Sequence, residues 1–180
     1  MRRVVILGCS GSGKSTLARR LGDRLGLPAV HLDALYFLPG WKIRPKEEFL
    51  ANVAKAIQGD GWICEGGYSE TYRMRFPRAD TVIWLERPRW LYLTRVILRI
   101  VQTFGRTRAD MAPGCPERFD LEFLRYVWNW QKKTRPKLEA GLAQYCPDTP
   151  LTVLSSDREV REFLHGLPHP LIPESGDPDV

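Results

Sequence analysis

Long apolar runs are missing from this chain, and none approaches the roughly 20 residues that a membrane span requires. Met1-Arg2-Arg3 leads into a short strand pattern rather than a signal-peptide core with a small-residue cleavage site. The expectation is a soluble cytoplasmic protein with no membrane partner. Cysteine is sparse: Cys9, Cys64, Cys115 and Cys146 stand far apart with no CxxC pair, and the three histidines complete no zinc pattern. Reduced thiols with structural roles are expected. Internal repeats are absent, as are helix-turn-helix, zinc-finger and RNP signatures, and the basic residues are spread out rather than gathered in a tail.

What is present is the composition of one globular domain. The 180 residues are 43% hydrophobic and 27% charged, enough to bury a core, and the net charge of +6 suits an anionic partner, either nucleic acid or a phosphorylated small molecule. The apolar segments RVVILG, PAVHLD, GWICEG, DTVIWLE and PLTVLSS read as strands separated by stretches long enough for crossover helices. Strands that are continuously apolar belong to a parallel sheet covered on both faces. Helices are expected over Ser15–Leu25, Pro45–Ile57, Trp90–Phe104, Phe119–Gly141 and Ser156–Leu164. In the fourth, Pro136 either kinks or ends the regular part; the fifth is capped by Ser155 or Ser156. The domain is expected to span residues 1–165, followed by a Pro- and Gly-rich, loose tail over 166–180.

Between the first strand and the first helix stands GCSGSGKS, Gly8 to Ser15, which satisfies GxxxxGK[ST]. Gly11 and Gly13 let the backbone curl so that successive N–H groups of Gly8, Cys9, Ser10, Gly11, Ser12, Gly13, Lys14, Ser15 and Thr16 can face phosphate oxygens. Lys14 then reaches the β and γ phosphates, Ser15 is placed for Mg²⁺, and the helix N-terminus adds its dipole. Chance produces such a match in a chain of this length on the order of once in a hundred, and the flanking strand and helix make coincidence rarer still. The motif therefore identifies a nucleotide site.

Together GCSGSGKST, HLDALYFLPGW, WICEGGYS, RMRFPRADTVIWLERP and MAPGCPERFDLEFLRYVWNW resemble the topology modulation protein family. That family is a bacterial branch of the P-loop kinases, related to adenylate and shikimate kinases, and the match runs to about residue 165. The resemblance implies an α/β, three-layer P-loop NTPase fold: a five-stranded parallel sheet of order 2-3-1-4-5, helices on both faces and a lid insertion. It also implies a nucleotide at the P-loop and an acceptor site opposite. In a sheet of that order the strand ending in Glu65 lies beside the P-loop strand. Related kinases more often carry Asp there, so the longer Glu65 either reaches a metal-bound water or shifts the ion slightly. Ser155, Ser156 and Asp157 fall in the loop that borders adenine in such kinases.

On the acceptor side, Asp33 is expected to end the second strand at the edge where open parallel sheets bind ligands. There it would orient an acceptor hydroxyl or take its proton; otherwise it opens the next loop as a cap. Gly66 and Gly67 permit close approach of backbone to substrate, and Arg73 and Arg75 are candidates to clamp a phosphate or carboxylate on the acceptor. Tyr36, Phe37 and Trp41 either wall that pocket or simply pack. The segment from 104 to 120, FGRTRADMAPGCPERFD, lacks helical periodicity and suits a mobile lid, with Arg106 and Arg108 as candidates for the phosphates in transit. Arg95 and Arg99, four apart, either support that lid and site or form a solvated face.

The reading is an ATP- and Mg²⁺-dependent phosphotransferase acting on a small, anionic acceptor. Lys14, Asp33, Arg106 and Arg108 serve catalysis, Ser15 and Glu65 the metal, and Asp33, Gly66, Gly67, Arg73 and Arg75 the acceptor. Two alternatives stay open: a nucleotide-dependent regulatory protein that binds nucleic acid and affects DNA topology, and a plain P-loop ATPase.

Overall fold

The computed structural model describes residues 1–167, and the tail expected from residue 166 lies, beyond Leu167, outside the described residues. In chain order the elements are β1 (Arg3–Gly8), α1 (Lys14–Leu25), β2 (Ala29–His31), α2 (Leu32–Tyr36), β3 (Phe37–Leu38), β4 (Lys42–Ile43), α3 (Lys46–Ala56), β5 (Trp62–Glu65), a 3₁₀ turn (Ser69–Thr71), α4 (Tyr72–Arg75), β6 (Thr81–Leu85), α5 (Arg89–Thr103), α6 (Leu121–Lys133), α7 (Arg135–Tyr145), β7 (Leu151–Leu154) and α8 (Asp157–His165). Five strands form one parallel sheet in the order β2-β5-β1-β6-β7. Counting only this sheet's strands, that is the expected 2-3-1-4-5.

The alternating pleat of β1 explains the layers. Val4 and Ile6 point to one side, where Leu17, Ala18 and Leu21 of α1 and Leu164 of α8 cover them. Val5 and Leu7 point to the other, against Phe49 and Val53 of α3, Tyr92 and Val96 of α5, Trp130 of α6 and Leu138 of α7. Burial on both faces is what makes the central strands apolar at successive positions.

Three local readings change and a fourth is decided between its two alternatives. The second strand stops at His31, so Asp33 stands in the first turn of the short helix α2 rather than at a strand end. A small antiparallel hairpin, Phe37–Leu38 against Lys42–Ile43, turns through Gly40 and Trp41, whose φ values are +77° and +63°. The long helix expected over Phe119–Gly141 is two: Asp120 caps α6 by accepting from the Phe123 N–H at 3.0 Å, and Pro136 sits in the first turn of α7. Finally, Ser156 rather than Ser155 caps α8, accepting from the Glu159 N–H at 3.1 Å, while Glu159 returns a bond to the Ser155 N–H at 2.8 Å.

The segment between α5 and α6 lies over the hairpin. Met111, Ala112 and Cys115 are buried against Phe37 and Trp41, the Trp41 indole donates to the Pro116 carbonyl at 2.9 Å, and the Gly40 N–H to the Gly114 carbonyl at 2.8 Å. Its root is closed by Gly105 N–H donating to the Glu117 carbonyl and Glu117 N–H to the Arg106 carbonyl, both at 2.9 Å. Among the described residues no helix is long and apolar enough to cross a membrane.

Candidate active site

The loop from Gly8 to Gly13 leaves β1 at the carboxyl edge of the sheet and feeds α1. Its shape demands glycine at two places where space and backbone angle agree. A Cβ on Gly8 (φ +144°) would meet the Leu85 carbonyl oxygen at 2.6 Å, and one on Gly11 (φ +80°) would meet the Tyr92 carbonyl oxygen at the same distance. The Ser12 N–H donates to the Cys9 carbonyl at 3.1 Å, and the Lys14 ammonium donates to that carbonyl at 2.9 Å. Among the described residues the Ser12 hydroxyl is buried with no partner. The Cys9 thiol faces the core near the Val127 carbonyl, and burial pushes it up to about 12, so its side chain is a neutral packing group.

Two cavities flank this loop. One, of about 340 Å³, is lined by Gly13, Thr16, Arg20, Arg87, Arg95 and Asp157 among others. Asp157 accepts from Arg95 at 2.5 Å and from Arg87 at 3.3 Å. Its partial burial opposes ionisation, but the two guanidiniums outweigh this and hold the carboxyl below its usual range. The second, a cleft of about 560 Å³, takes in Gly8, Ser10 and Lys14 at one end and Asp33, Gly66, Gly67 and Tyr68 further along. Arg108, Met111 and Glu117 of the 104–120 segment also line it.

At the junction the Ser15 hydroxyl donates to Glu65 Oε1 at 3.0 Å, and His31 Nδ1 lies 2.9 Å from the same oxygen. Burial alone would raise Glu65, but the His31 hydrogen bond, Lys14 and Ser15 reverse the direction, and the carboxyl is held below its ordinary value. Asp110 of the lid segment is held low likewise, Arg108 and the Ser15 hydroxyl outweighing its burial. Mg²⁺ takes oxygen ligands, commonly one or two from protein with the rest from phosphates and water. The hydroxyl of Ser15 and the carboxylate of Glu65 are such a pair, so the donor set fits the ion. The glycine cradle and the unpartnered Ser12 hydroxyl likewise fit a bound phosphate chain. Among the described residues no group of three or more His, Cys, Asp and Glu side chains forms a metal site by itself.

Asp33 accepts a short hydrogen bond from the Tyr68 hydroxyl, 2.6 Å to Oδ1. Loss of water raises its carboxyl most, the Glu65 charge raises it further, and Tyr68, Lys14 and Arg108 only partly offset this. Asp33 and Glu65 therefore diverge, one proton-avid and one firmly ionised.

Neither arginine assigned to the acceptor lines the cleft. Arg73 is exposed. Arg75 is wholly buried, donating to Thr71 Oγ1 at 2.9 Å and to the Gly66 carbonyl at 2.6 Å, with its guanidinium over the Tyr72 and Phe76 rings. It holds the Gly66 turn, where φ is +130°, instead of presenting charge to a ligand. Arg106 is exposed too, whereas Arg108 lines the cleft and pairs with Asp110 at 3.2 Å and Glu117 at 2.9 Å. Arg99 joins the same Glu117 at 3.2 Å, which ties α5 to the root of the 104–120 segment.

A gluconokinase from Sinorhizobium meliloti 1021 superposes with a TM-score of 0.52 at 15% identity, covering 91% of this chain and 87% of that one. A shikimate kinase from Acinetobacter baumannii, solved with shikimate, gives 0.53 at 16% identity over 92% of this chain and 89% of that one. The fold is that of the P-loop kinases. No protein-family model and no curated protein sequence matches the chain.

Within this kinase fold, sequence reasoning missed His31, Tyr68, Tyr126, Asp110 and Glu117. A signal existed for the first two: HLD brackets the register of β2, and Tyr68 follows the Gly66-Gly67 pair directly. None existed for Asp110 and Glu117, whose approach to Ser15 and Arg99 depends on how the lid docks.

Proposed function

We propose that this protein is an ATP- and Mg²⁺-dependent phosphotransferase that acts on the hydroxyl of a small molecule, a P-loop kinase of the kind that the topology modulation proteins resemble. The observation that carries the reading is that Asp33, bonded to Tyr68 and raised in pKa, lines the same cleft as Lys14 of the phosphate loop. A carboxylate so placed can take a proton from an alcohol. A plain ATPase has no use for it, and net positive charge is all that speaks for nucleic-acid binding.

The chemistry follows from the side chains. The loop amides and Lys14 neutralise phosphate charge, and Arg108 stands over the cleft to meet charge on the group in transfer. Ser15 and Glu65 would hold Mg²⁺, which supplies further charge neutralisation when bound. The acceptor oxygen forms a bond to the γ-phosphorus, the bond from that phosphorus to the β–γ bridging oxygen breaks, and ADP leaves. The acceptor proton passes to Asp33, and from there to solvent. The docked 104–120 segment excludes water as a competing acceptor. The 340 Å³ cavity, with Arg95 and Asp157, is assigned to the nucleoside end of ATP.

The test is acceptor-stimulated, Mg²⁺-dependent ADP release by the wild type and by Asp33→Asn. The variant is expected to bind ATP normally and to transfer about 10²-fold more slowly, the scale of positioned acid–base help. Unchanged transfer would remove Asp33 from the chemistry.

A further inference from the structure

The acceptor half of the cleft is short of available positive charge and rich in rings. Four cations besides Lys14 line the cleft. Arg99 and Arg108 are both held by Glu117, at 3.2 and 2.9 Å. Arg118 stacks over the Trp41 ring at 5.5 Å and points to Asp120, while Lys137 is exposed at the rim. The arginine beneath the Gly66 turn, Arg75, is turned into the core. Negative charge is already concentrated here in Asp33 and Glu65, and Glu65 raises the Asp33 carboxyl. A second anion brought beside them would be desolvated, and Lys137, the cleft cation given no acidic partner among the described residues, stands exposed at the rim.

The walls instead offer flat surfaces. From α2 and the turn after β5 come Tyr36 and Tyr68, ring centroids 4.5 Å apart, with Phe37 edge-on to Tyr36 at 5.0 Å. From α6 come Phe123 and Tyr126, nearly parallel at 22° with centroids 6.3 Å apart. Tyr126 retains 44% of its surface, so part of that ring is uncovered. Burial raises its phenol, and Cys9 and then Asp33 add to the rise, so its hydroxyl end lies in the field of the carboxylate. Aromatic faces of this kind bind rings by stacking, which tolerates many ring types but requires a flat partner.

We infer that the acceptor is an uncharged alcohol borne on a flat-faced ring, a nucleoside or an aryl alcohol in chemical class, rather than a phosphorylated or carboxylated compound. The inference rests on the phosphotransfer reading. The ring lies between the α2 and α6 aromatics with its hydroxyl at Asp33, and specificity comes from stacking and from the absence of a partner for an anion. The shared chemistry, a neutral hydroxyl on a stackable ring, covers both sources.

The experiment measures Mg²⁺-dependent ADP release by the full chain in three arms. The first uses nucleosides and 2-phenylethanol, the second gluconate, shikimate and nucleoside monophosphates, and the third glycerol, with a no-acceptor control. The expected result is stimulation of about tenfold or more in the first arm alone, and which member stimulates tells a nucleoside source from an aryl one. With that acceptor, Tyr126→Leu raises its KM about tenfold while the KM for ATP stays within about twofold, and Tyr126→Phe restores the low KM. Stimulation by anions or by glycerol, with the ring alcohols inert, overturns the inference and leaves phosphotransfer standing. An acceptor KM that Tyr126→Leu does not move also overturns it. Turnover indifferent to every arm overturns the inference and the phosphotransfer reading together.

Discussion

Asp33 keeps its proton to higher pH than an ordinary carboxyl does. Burial and the Glu65 charge raise its carboxyl above the ordinary value of 3.8. Its contribution to stability is thus fully present below pH 3.8 and is lost as the pH rises through the raised value in the folded protein. Asp33→Asn keeps an oxygen for the Tyr68 hydroxyl and removes the charge. Thermal melts at pH 7 are expected to show the variant more stable than the wild type, by about 2–4 °C for each kcal/mol relieved, with the difference closing towards pH 4. The same variant is the slow one in transfer, so stability and activity move in opposite directions at this residue. A wild-type melting temperature at pH 7 equal to or above the variant's would contradict that account. The phosphate loop was legible at this scale because its chemistry is written in consecutive residues. Arg75 was not: four positions from Thr71 and nine from Gly66, it could equally face out or fold back, and the rings of Tyr72 and Phe76 decide the matter by stacking beneath it.

Among the elements, the lid segment separates two arginines that look alike in sequence. Arg108 lines the cleft and contacts Glu117 and Asp110, whereas Arg106, among the described residues, bonds only through its backbone. Arg108→Ala is expected to lower kcat by about 10²–10³-fold, and by at least ten times more than Arg106→Ala does; steady-state kinetics with a working acceptor reads both. Equal losses would mean that the lid adopts a different closure during turnover. At the other edge of the sheet, Ser156→Ala removes the α8 cap and should cost about 1 kcal/mol in urea unfolding, whereas Ser155→Ala leaves the Ser155 N–H bond to Glu159 in place. Strands and crossover helices were readable because apolar periodicity is a local property. The hairpin at Phe37–Ile43 was not, since it has two residues per strand and its register is held by Trp41 and Gly40 bonding to the distant lid.

For the whole molecule, the nucleotide should be the main external source of stability, because its cradle joins β1, α1, β6 and α5. Saturation with Mg²⁺–ADP at about a hundred times its Kd adds about 2.7 kcal/mol, which corresponds to a rise in Tm of about 5–10 °C. In Lys14→Ala, scanning calorimetry is expected to show no such rise. The layers followed from the alternation of strands and helices and the strand order from the family resemblance, but the closeness of the 104–120 segment to the phosphate loop did not, because it is a long-range contact that no short window of sequence encodes.

Helix α5 touches both ends of that contact. Near its start the Tyr92 carbonyl lies directly under Gly11, and two turns later Arg99 grips Glu117 at the lid root. The seven residue steps from Tyr92 to Arg99 make a stiff arm about 10 Å long. A pivot of about 10° at the Gly11 end swings the Arg99 end by about 2 Å. The helix thus has the geometry of a lever with its fulcrum at the phosphate loop: a small displacement there would become a stroke at the root of the 104–120 segment comparable to the length of a hydrogen bond.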